Sequence, residues 1–304
     1  MRRVQLLALV IALLFVSDAV AQRRFGRGRG RDVVPEGSRV QYKTFRSDIL
    51  GRQLDYALYY PPSYEQSQEK YPVIFFLHGA NENEKRWSTR GQTDLMLDRM
   101  IAADEIGEFI VAIPFGANSF YTNSINGERW EDMITDEFIP LIESTTRAEG
   151  TRAGRAISGI SMGGYGALKL ALKHPDVFSS VSAHSAMLID DFASVAISLR
   201  RAQMFYALFD EIFGVSRDLA YWDDNNPLRI AREADGFDGL RIYFDCGTED
   251  EYGFFLGARQ LSNVLTDKGI EHEFHLYPGI HGWDYARQHT ADSLKFHWKG
   301  LDSN

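Results

Sequence analysis

The pentapeptide Gly159-Ile160-Ser161-Met162-Gly163 fits G-x-S-x-G, in which a serine is held on a strained turn between a strand and a helix. A pentapeptide is weak evidence alone; here its setting carries the weight. Arg155-Ala156-Ile157-Ser158 reads as a strand end, and Met162 to His174 reads as a helix that Pro175 closes. The glycines have a steric reason, because the turn brings its neighbours too close for a Cβ, and Gly164 adds slack where helix meets strand. The hydroxyl would emerge at the helix N-terminus, where free N–H groups and the dipole favour developing negative charge. That chemistry is nucleophilic attack, but a serine at its ordinary pKa is a poor nucleophile. A base and an orienting acid must follow it, in the chain order Ser, Asp or Glu, His.

Eight histidines compete for the base. His174, His272, His275, His289 and His297 fall within expected helices or strands, His78 precedes the serine, and His184 follows it too soon. His281 lies in the loop Pro278-Gly279-Ile280-His281-Gly282-Trp283 after the last expected strand, which makes it the general base. The acid belongs in the loop after the preceding strand, where Cys246-Gly247-Thr248-Glu249-Asp250-Glu251 offers three carboxylates. Asp250 is placed to reach the imidazole and fix its tautomer, with Glu249 in reserve and Glu251 read as solvating the turn. The tetrahedral oxyanion needs donors, expected from the backbone N–H of Met162 and of Ala80, in the loop after Leu77-His78-Gly79. His78 reads as a structural hydrogen-bonded residue. Trp87 and Trp283 are candidate walls of a substrate pocket.

Other chemistries find less support. Cys246, the sole cysteine, permits no intramolecular disulfide and reads as a buried strand-end residue rather than a thiol nucleophile. No Cys/His spacing fits a zinc site, and Gly163-Gly164-Tyr165-Gly166 lacks the dinucleotide-binding context. No cofactor and no metal are expected.

Elements that could position these residues follow an alternating order. Arg39 to Asp48 and Arg52 to Tyr60 read as two paired strands around Gly51. Tyr71 to Leu77 and Glu108 to Pro114 are short continuous apolar runs, as in strands buried on both faces. Helical patterns cover Thr93 to Ala103, Trp130 to Thr146 and Gly257 to Lys268, and a last helix follows from Trp283; Val177 to Ala183, Arg241 to Cys246 and Glu271 to Tyr277 read as further strands. Strands alternating with helices of this length predict an α/β fold with a mostly parallel central sheet, helices on both faces and an antiparallel pair at one edge. Between Ala186 and Gly239 the rhythm breaks for 54 residues, predicting a helical cap or lid over 186–239 at the carboxyl end of the sheet.

The N-terminus predicts export. Met1-Arg2-Arg3 is basic, Val4 to Val16 is apolar, and Ala19-Val20-Ala21 offers the small residues of a cleavage site. The apolar run is shorter than the ~20 residues that span a bilayer, so residues 1–21 read as a cleavable signal, without stable membrane insertion afterwards. Residues 22–38 form a leader whose Gln22 to Asp32 portion is rich in Gly and Arg, and 39–304 form the folded domain. The expected location is secreted or periplasmic. Net charge is −9 overall, but the segment after residue 32 carries −14; an acidic body argues against nucleic acid as partner. At 44% hydrophobic and 25% charged, the chain can bury a sizeable core and is not disordered.

The stretches LHGANENEKRW (77–87), GISMGGYGALKLALKHPDVF (159–178), YWDDNNP (221–227), CGTEDEYGF (246–254) and YPGIHGWDY (277–285) closely resemble the esterase D and tributyrin esterase group of α/β-hydrolases. Relatives include feruloyl and acetyl xylan esterases, S-formylglutathione hydrolases and mycolyltransferases. The resemblance runs from about residue 40 to 300. It implies an α/β-hydrolase fold, a nucleophile at Ser161, an acid at Asp250, a base at His281 and oxyanion amides at Ala80 and Met162. Many relatives carry Asp and Trp after the histidine, with a further Trp three residues on; here Gly282, Trp283 and Ala286 stand there, so one aromatic wall is missing. Formylglutathione is a cytosolic thioester, so the signal shifts the expectation towards a secreted serine carboxylic ester hydrolase acting on feruloyl, acetyl or short-chain acyl esters of carbohydrates. The alternatives are a non-hydrolytic carbohydrate-binding relative and an acyltransferase to a sugar alcohol.

Overall fold

The computed structural model describes residues 35–125, 127–190, 208–214 and 219–301. Among the described residues, eight strands form one sheet: β1 (Val40–Ser47), β2 (Arg52–Tyr59), β3 (Val73–Leu77), β4 (Ile110–Pro114), β5 (Arg155–Ile160), β6 (Ser180–His184), β7 (Arg241–Gly247) and β8 (Glu273–Tyr277). Their order is β1-β2-β4-β3-β5-β6-β7-β8. β1 and β2 form an antiparallel hairpin, β2 pairs antiparallel with β4, and every later pairing is parallel. This is the α/β-hydrolase arrangement, with the expected antiparallel pair at one edge.

The apolar runs of β3 and β4 are buried along their whole length because each strand feeds two cores. Val73, Phe75 and Leu77 point to one, with Ile110 and Ala112; Ile74 and Phe76 point to the other, with Val111 and Ile113. Alternation of side chains along a strand makes this division. Each large apolar side chain so enclosed contributes about 1.5–3 kcal/mol. Helices cover both faces: α1 (Arg86–Thr89), α2 (Thr93–Ala102), α3 (Trp130–Thr145), α4 (Met162–Lys173), α5 (Leu219–Asn225), α6 (Pro227–Glu233), α7 (Phe254–Asp267) and α8 (Trp283–Leu301). Leu97 of α2 and Leu294 of α8 enter the second core, whereas Leu168 of α4 and Leu261 of α7 enter the first. α3 is the helix predicted over Trp130 to Thr146, but it passes from Trp130–Asp132 through a π-turn at Met133–Phe138 to Ile139–Thr145.

Several boundaries move from their predicted positions. β5 continues to Ile160 rather than stopping at Ser158, because its parallel partner β6 extends the ladder as far as Ile160 opposite His184. β6 starts at Ser180, not Val177, since its register against β5 begins at Ala156 opposite Ser180. Across Asp223-Asp224-Asn225-Asn226-Pro227, α5 runs through Asn225, and the Asn226 side chain caps α6 by accepting from the Leu228 amide, with Pro227 in the first turn.

The predicted cap at 186–239 is described only in part, because 191–207 and 215–218 lie outside the described residues. Its described portions are core rather than a detached lid. Helical residues 208–213 and α5 bring Phe209 against Phe120 and Trp222 against Tyr165, with Phe213 packed on Trp222, and the Tyr165 hydroxyl donates to the Asn225 carbonyl at 2.6 Å. The predicted signal, 1–21, and most of the leader, 22–34, also lie outside the described residues. Among the described residues, no helix is long and apolar enough to cross a membrane.

Candidate active site

Ser161 occupies the single position between β5 and α4, with φ 56° and ψ −116°. A positive φ is strained for a residue with a Cβ, and the surroundings hold it there. The Ser161 amide donates to the His184 carbonyl at 2.9 Å, and the Ser161 carbonyl accepts from the amides of Tyr165 and Met187. The two motif glycines meet a packing limit. A Cβ on Gly159 would lie 2.2 Å from the Gly163 carbonyl oxygen, and one on Gly163 would lie 1.9 Å from that of Leu77. β3, β5 and α4 therefore meet backbone to backbone directly beneath the serine.

His281 arrives on the loop after β8 and Asp250 on the loop after β7. The two loops are pressed together at Gly247, where a Cβ would sit 2.2 Å from the Gly279 carbonyl oxygen, and the Glu249 amide donates to that same carbonyl. Across this junction His281 Nδ1 donates to Asp250 Oδ2 at 2.7 Å, which leaves Nε2 to accept from Ser161 Oγ at 2.9 Å. Tyr252 and Phe254 pack edge-on against the imidazole, their centroids 4.9 and 5.4 Å away. The Tyr252 amide donates to Asp250 Oδ1 at 2.9 Å, so both oxygens of the carboxylate are engaged. Burial separates the three carboxylates of this loop: the Asp250 side chain is fully enclosed, whereas Glu249 and Glu251 are exposed. Glu251 accepts from the His281 amide instead of its ring.

Hydrogen-bond geometry alone would not single out this trio. His184 bonds Asp245 through Nδ1 at 2.8 Å and Ser293 through Nε2 at 2.9 Å, a second Ser-His-Asp set. All three are at most 2% exposed, so no substrate can reach that serine. The His281 side chain keeps 14% of its surface open.

Met162 and Ala80, the expected oxyanion donors, belong to the two segments that border Ser161. Met162 is the first residue of α4, where a backbone N–H has no acceptor within its own helix. On the other side, the loop after β3 comes close enough that a Cβ on Gly79 would be 3.6 Å from that of Ser161. Ala80 and His281 line the same cleft. His78 anchors this loop from within: Nδ1 donates to the Gly79 carbonyl at 2.8 Å and Nε2 accepts from the Gly116 amide at 2.9 Å. Burial pulls its pKa down to about 4, leaving it neutral, with both nitrogens committed. The Asn81 amide donates to Asn118 Oδ1 at 2.7 Å, fixing the next residue.

Trp283 lines the cleft, but Trp87 does not reach it. Trp87 is 2% exposed and packs against Tyr59 and Phe76 in the second core, a correction to its reading as a pocket wall. Its neighbours on β2 and β3 leave it no face for a ligand. Cys246 is fully buried, and burial raises its thiol pKa far above the ordinary range.

Sequence reading missed Glu82. Its Oε1 accepts from the Trp283 indole N–H at 2.6 Å and its Oε2 from the Gly79 amide at 3.2 Å. One carboxylate thus ties the loop bearing Ala80 to the segment just after His281. Burial raises its pKa, against the opposing pull of these hydrogen bonds and of Arg86. Nothing in Asn81-Glu82-Asn83-Glu84 distinguishes the two glutamates, because the selecting partner, Trp283, lies some two hundred residues away in the chain.

Such a serine, imidazole and carboxylate in series can perform nucleophilic acyl transfer. The chain matches the family model Esterase, described as "Putative esterase", over residues 47–296. It is 28% identical over 267 residues to Esterase MT1326 of Mycobacterium tuberculosis, an alignment covering 80% of this chain and 56% of that protein. The chain therefore spans little more than half the length of that relative. An acetyl esterase of Caldicellulosiruptor saccharolyticus is 29% identical over 238 residues, covering 77% of this chain and 86% of its own. Among solved structures, a ferulic acid esterase superposes with a TM-score of 0.73 at 28% identity, covering 87% of this chain and 98% of the other. With the family model matched across nearly the whole sheet and the Gly159–Gly163 turn inside the match, this chain belongs to the Esterase family of α/β-hydrolases.

Proposed function

We propose that the protein is an exported serine carboxylic ester hydrolase that works through an acyl-enzyme on acetyl, feruloyl or short-chain acyl esters of carbohydrates. The observation that carries this reading is the unbroken hydrogen-bonded series from Ser161 Oγ through the His281 ring to Asp250. In acylation, Ser161 Oγ attacks the ester carbonyl carbon while its proton passes to His281 Nε2. The carbonyl oxygen becomes an oxyanion facing the amides of Ala80 and Met162. Collapse breaks the bond to the alcohol oxygen, which takes the proton from His281 and leaves. A water molecule then repeats the sequence on the acyl-serine, with His281 again as base and then acid. Asp250 stays ionised throughout, holding the ring and stabilising the imidazolium.

The substrate class rests on two supports, the acetyl and ferulic acid esterases among the relatives and the export signal read at residues 1–21. On this reading residues 39–304 form one catalytic unit behind the signal and leader. The direct test is Ser161→Ala. Hydrolysis of p-nitrophenyl acetate is expected to be abolished while the unfolding transition is retained; full activity in that variant overturns the nucleophile assignment.

A further inference from the structure

A cleft of about 440 Å³ opens beside His281 and Ala80. Its lining gathers three arginines in a chain whose segment after residue 32 carries −14. Arg86 and Arg90 come from α1 and the residue after it, and Arg287 comes from the first turns of α8, so the guanidiniums belong to two elements that meet across the opening. Two carboxylates share the lining, Glu82 and Asp284. Glu82 is turned inward, with one oxygen on the Trp283 indole and the other on the Gly79 amide. Asp284, 82% exposed, takes Arg287 Nη2, and Arg287 Nη1 donates to the Arg90 carbonyl at 3.2 Å. That second bond fixes the Arg287 fork beside Arg90, which is itself exposed. Glu251 touches His281 only at its backbone amide. Within the lining, guanidiniums outnumber carboxylates by one, and Glu251 at the His281 amide adds a third carboxylate at its edge, so the cation the cleft offers is the exposed Arg90 guanidinium with Arg287 beside it.

The position of the cleft identifies the part of the substrate it would meet. His281 returns its proton to the leaving oxygen, so what lies next to the imidazole on this side is the alcohol portion of the ester. Planar guanidinium forks match a carboxylate better than they match a hydroxyl or an aromatic ring. From these observations, and resting on the acyl-enzyme reading above, we propose that the enzyme favours esters whose alcohol portion carries a carboxylate, held by the exposed Arg90 guanidinium in the cleft beside His281, with Arg287, braced on the Arg90 carbonyl and Asp284, adding its charge alongside. A sugar acid is an alcohol of this class.

The test compares 4-acetoxybenzoate with its methyl ester, two acetyl esters that differ in one negative charge on the alcohol side. A second pair, 4-methylphenyl hemisuccinate against 4-methylphenyl acetate, puts the charge on the acyl side. In the first pair, the ratio of kcat/KM for charged over neutral substrate is expected to fall about tenfold in Arg90→Gln/Arg287→Gln, and by a smaller factor in each single variant. Sodium chloride at high concentration should lower the wild-type ratio in the same direction. An unchanged ratio in the double variant overturns the proposal, and a ratio that falls only for the acyl-side pair overturns the alcohol-side assignment. Binding separates this inference from the catalytic reading. In a Ser161→Ala background, calorimetry should show 4-acetoxybenzoate binding about tenfold more weakly once both arginines are replaced. Hydrolysis surviving in Ser161→Ala would remove the triad without altering that binding result, whereas equal binding with and without the arginines would remove the cleft and leave the triad standing.

Discussion

At the scale of single residues, the site turns on which of several chemically equivalent groups is enclosed in the right place. Ser161 and His281 are legible in the sequence because a glycine-flanked turn and a loop after the last strand are local features. Asp250 is harder to distinguish, since Glu249, Asp250 and Glu251 share one loop. Only Asp250 is buried, with one oxygen on His281 Nδ1 and the other on the Tyr252 amide. Asp250→Asn is accordingly expected to lower kcat by about 10⁴, as the amide favours the wrong imidazole tautomer. Glu249→Gln should change it little. Steady-state kinetics on p-nitrophenyl acetate checks both, and a loss confined to the Glu249 variant would move the acid by one residue. Trp87 shows the reverse failure: an aromatic near a loop motif suggests a pocket, but its burial against Tyr59 and Phe76 depends on strands that its own neighbourhood does not reveal.

Elements place these residues, and much of that placement was readable from pattern. The continuous apolar runs of β3 and β4, the initial hairpin and the last helix from Trp283 all fall where the sequence predicts them. Strand ends were less readable, because β5 and β6 stop where their partners stop, a property of the pair. The π-turn at Met133–Phe138 left no signal in the spacing of apolar residues. Glu82 acts at this scale, by joining the loop after β3 to the start of α8. Glu82→Ala removes both bonds and is expected to lower kcat/KM about tenfold, with Glu82→Gln intermediate because an amide oxygen can replace only one acceptor. A residue that only filled space would show no loss in Glu82→Gln, whose side chain has the same shape. The readout is kcat/KM for p-nitrophenyl acetate alongside the urea midpoint of each protein.

For the whole molecule, buried neutral histidines set the response to acid. His78 is held down to about 4 and His297 to about 3, in both cases chiefly by burial. Unfolded, each would titrate near 6.5. The folded values are depressed, so the contribution of each is fully present above about pH 6.5 and is lost as pH falls towards the folded values. Within that window stability should drop by about 1.4 kcal/mol per pH unit for each histidine. Glu131, lowered by Lys169, His174 and Lys173 despite its burial, adds a loss of the same sign at lower pH. The thermal midpoint is therefore expected to fall steadily between pH 7 and 4.5, and a constant or rising midpoint would contradict these assignments. None of this could be read from composition, because what encloses His78 and His297 comes from residues distant in the chain.

The central claim is that Ser161, and no other serine, is made nucleophilic by His281. Its most direct test is intact-protein and peptide mass spectrometry after treatment with diethyl p-nitrophenyl phosphate, which leaves a diethylphosphoryl group on an activated serine. A single adduct on the peptide containing Ser161, absent from His281→Ala, is the predicted result. Labelling at another residue, or undiminished labelling of Ser161 without His281, would contradict it.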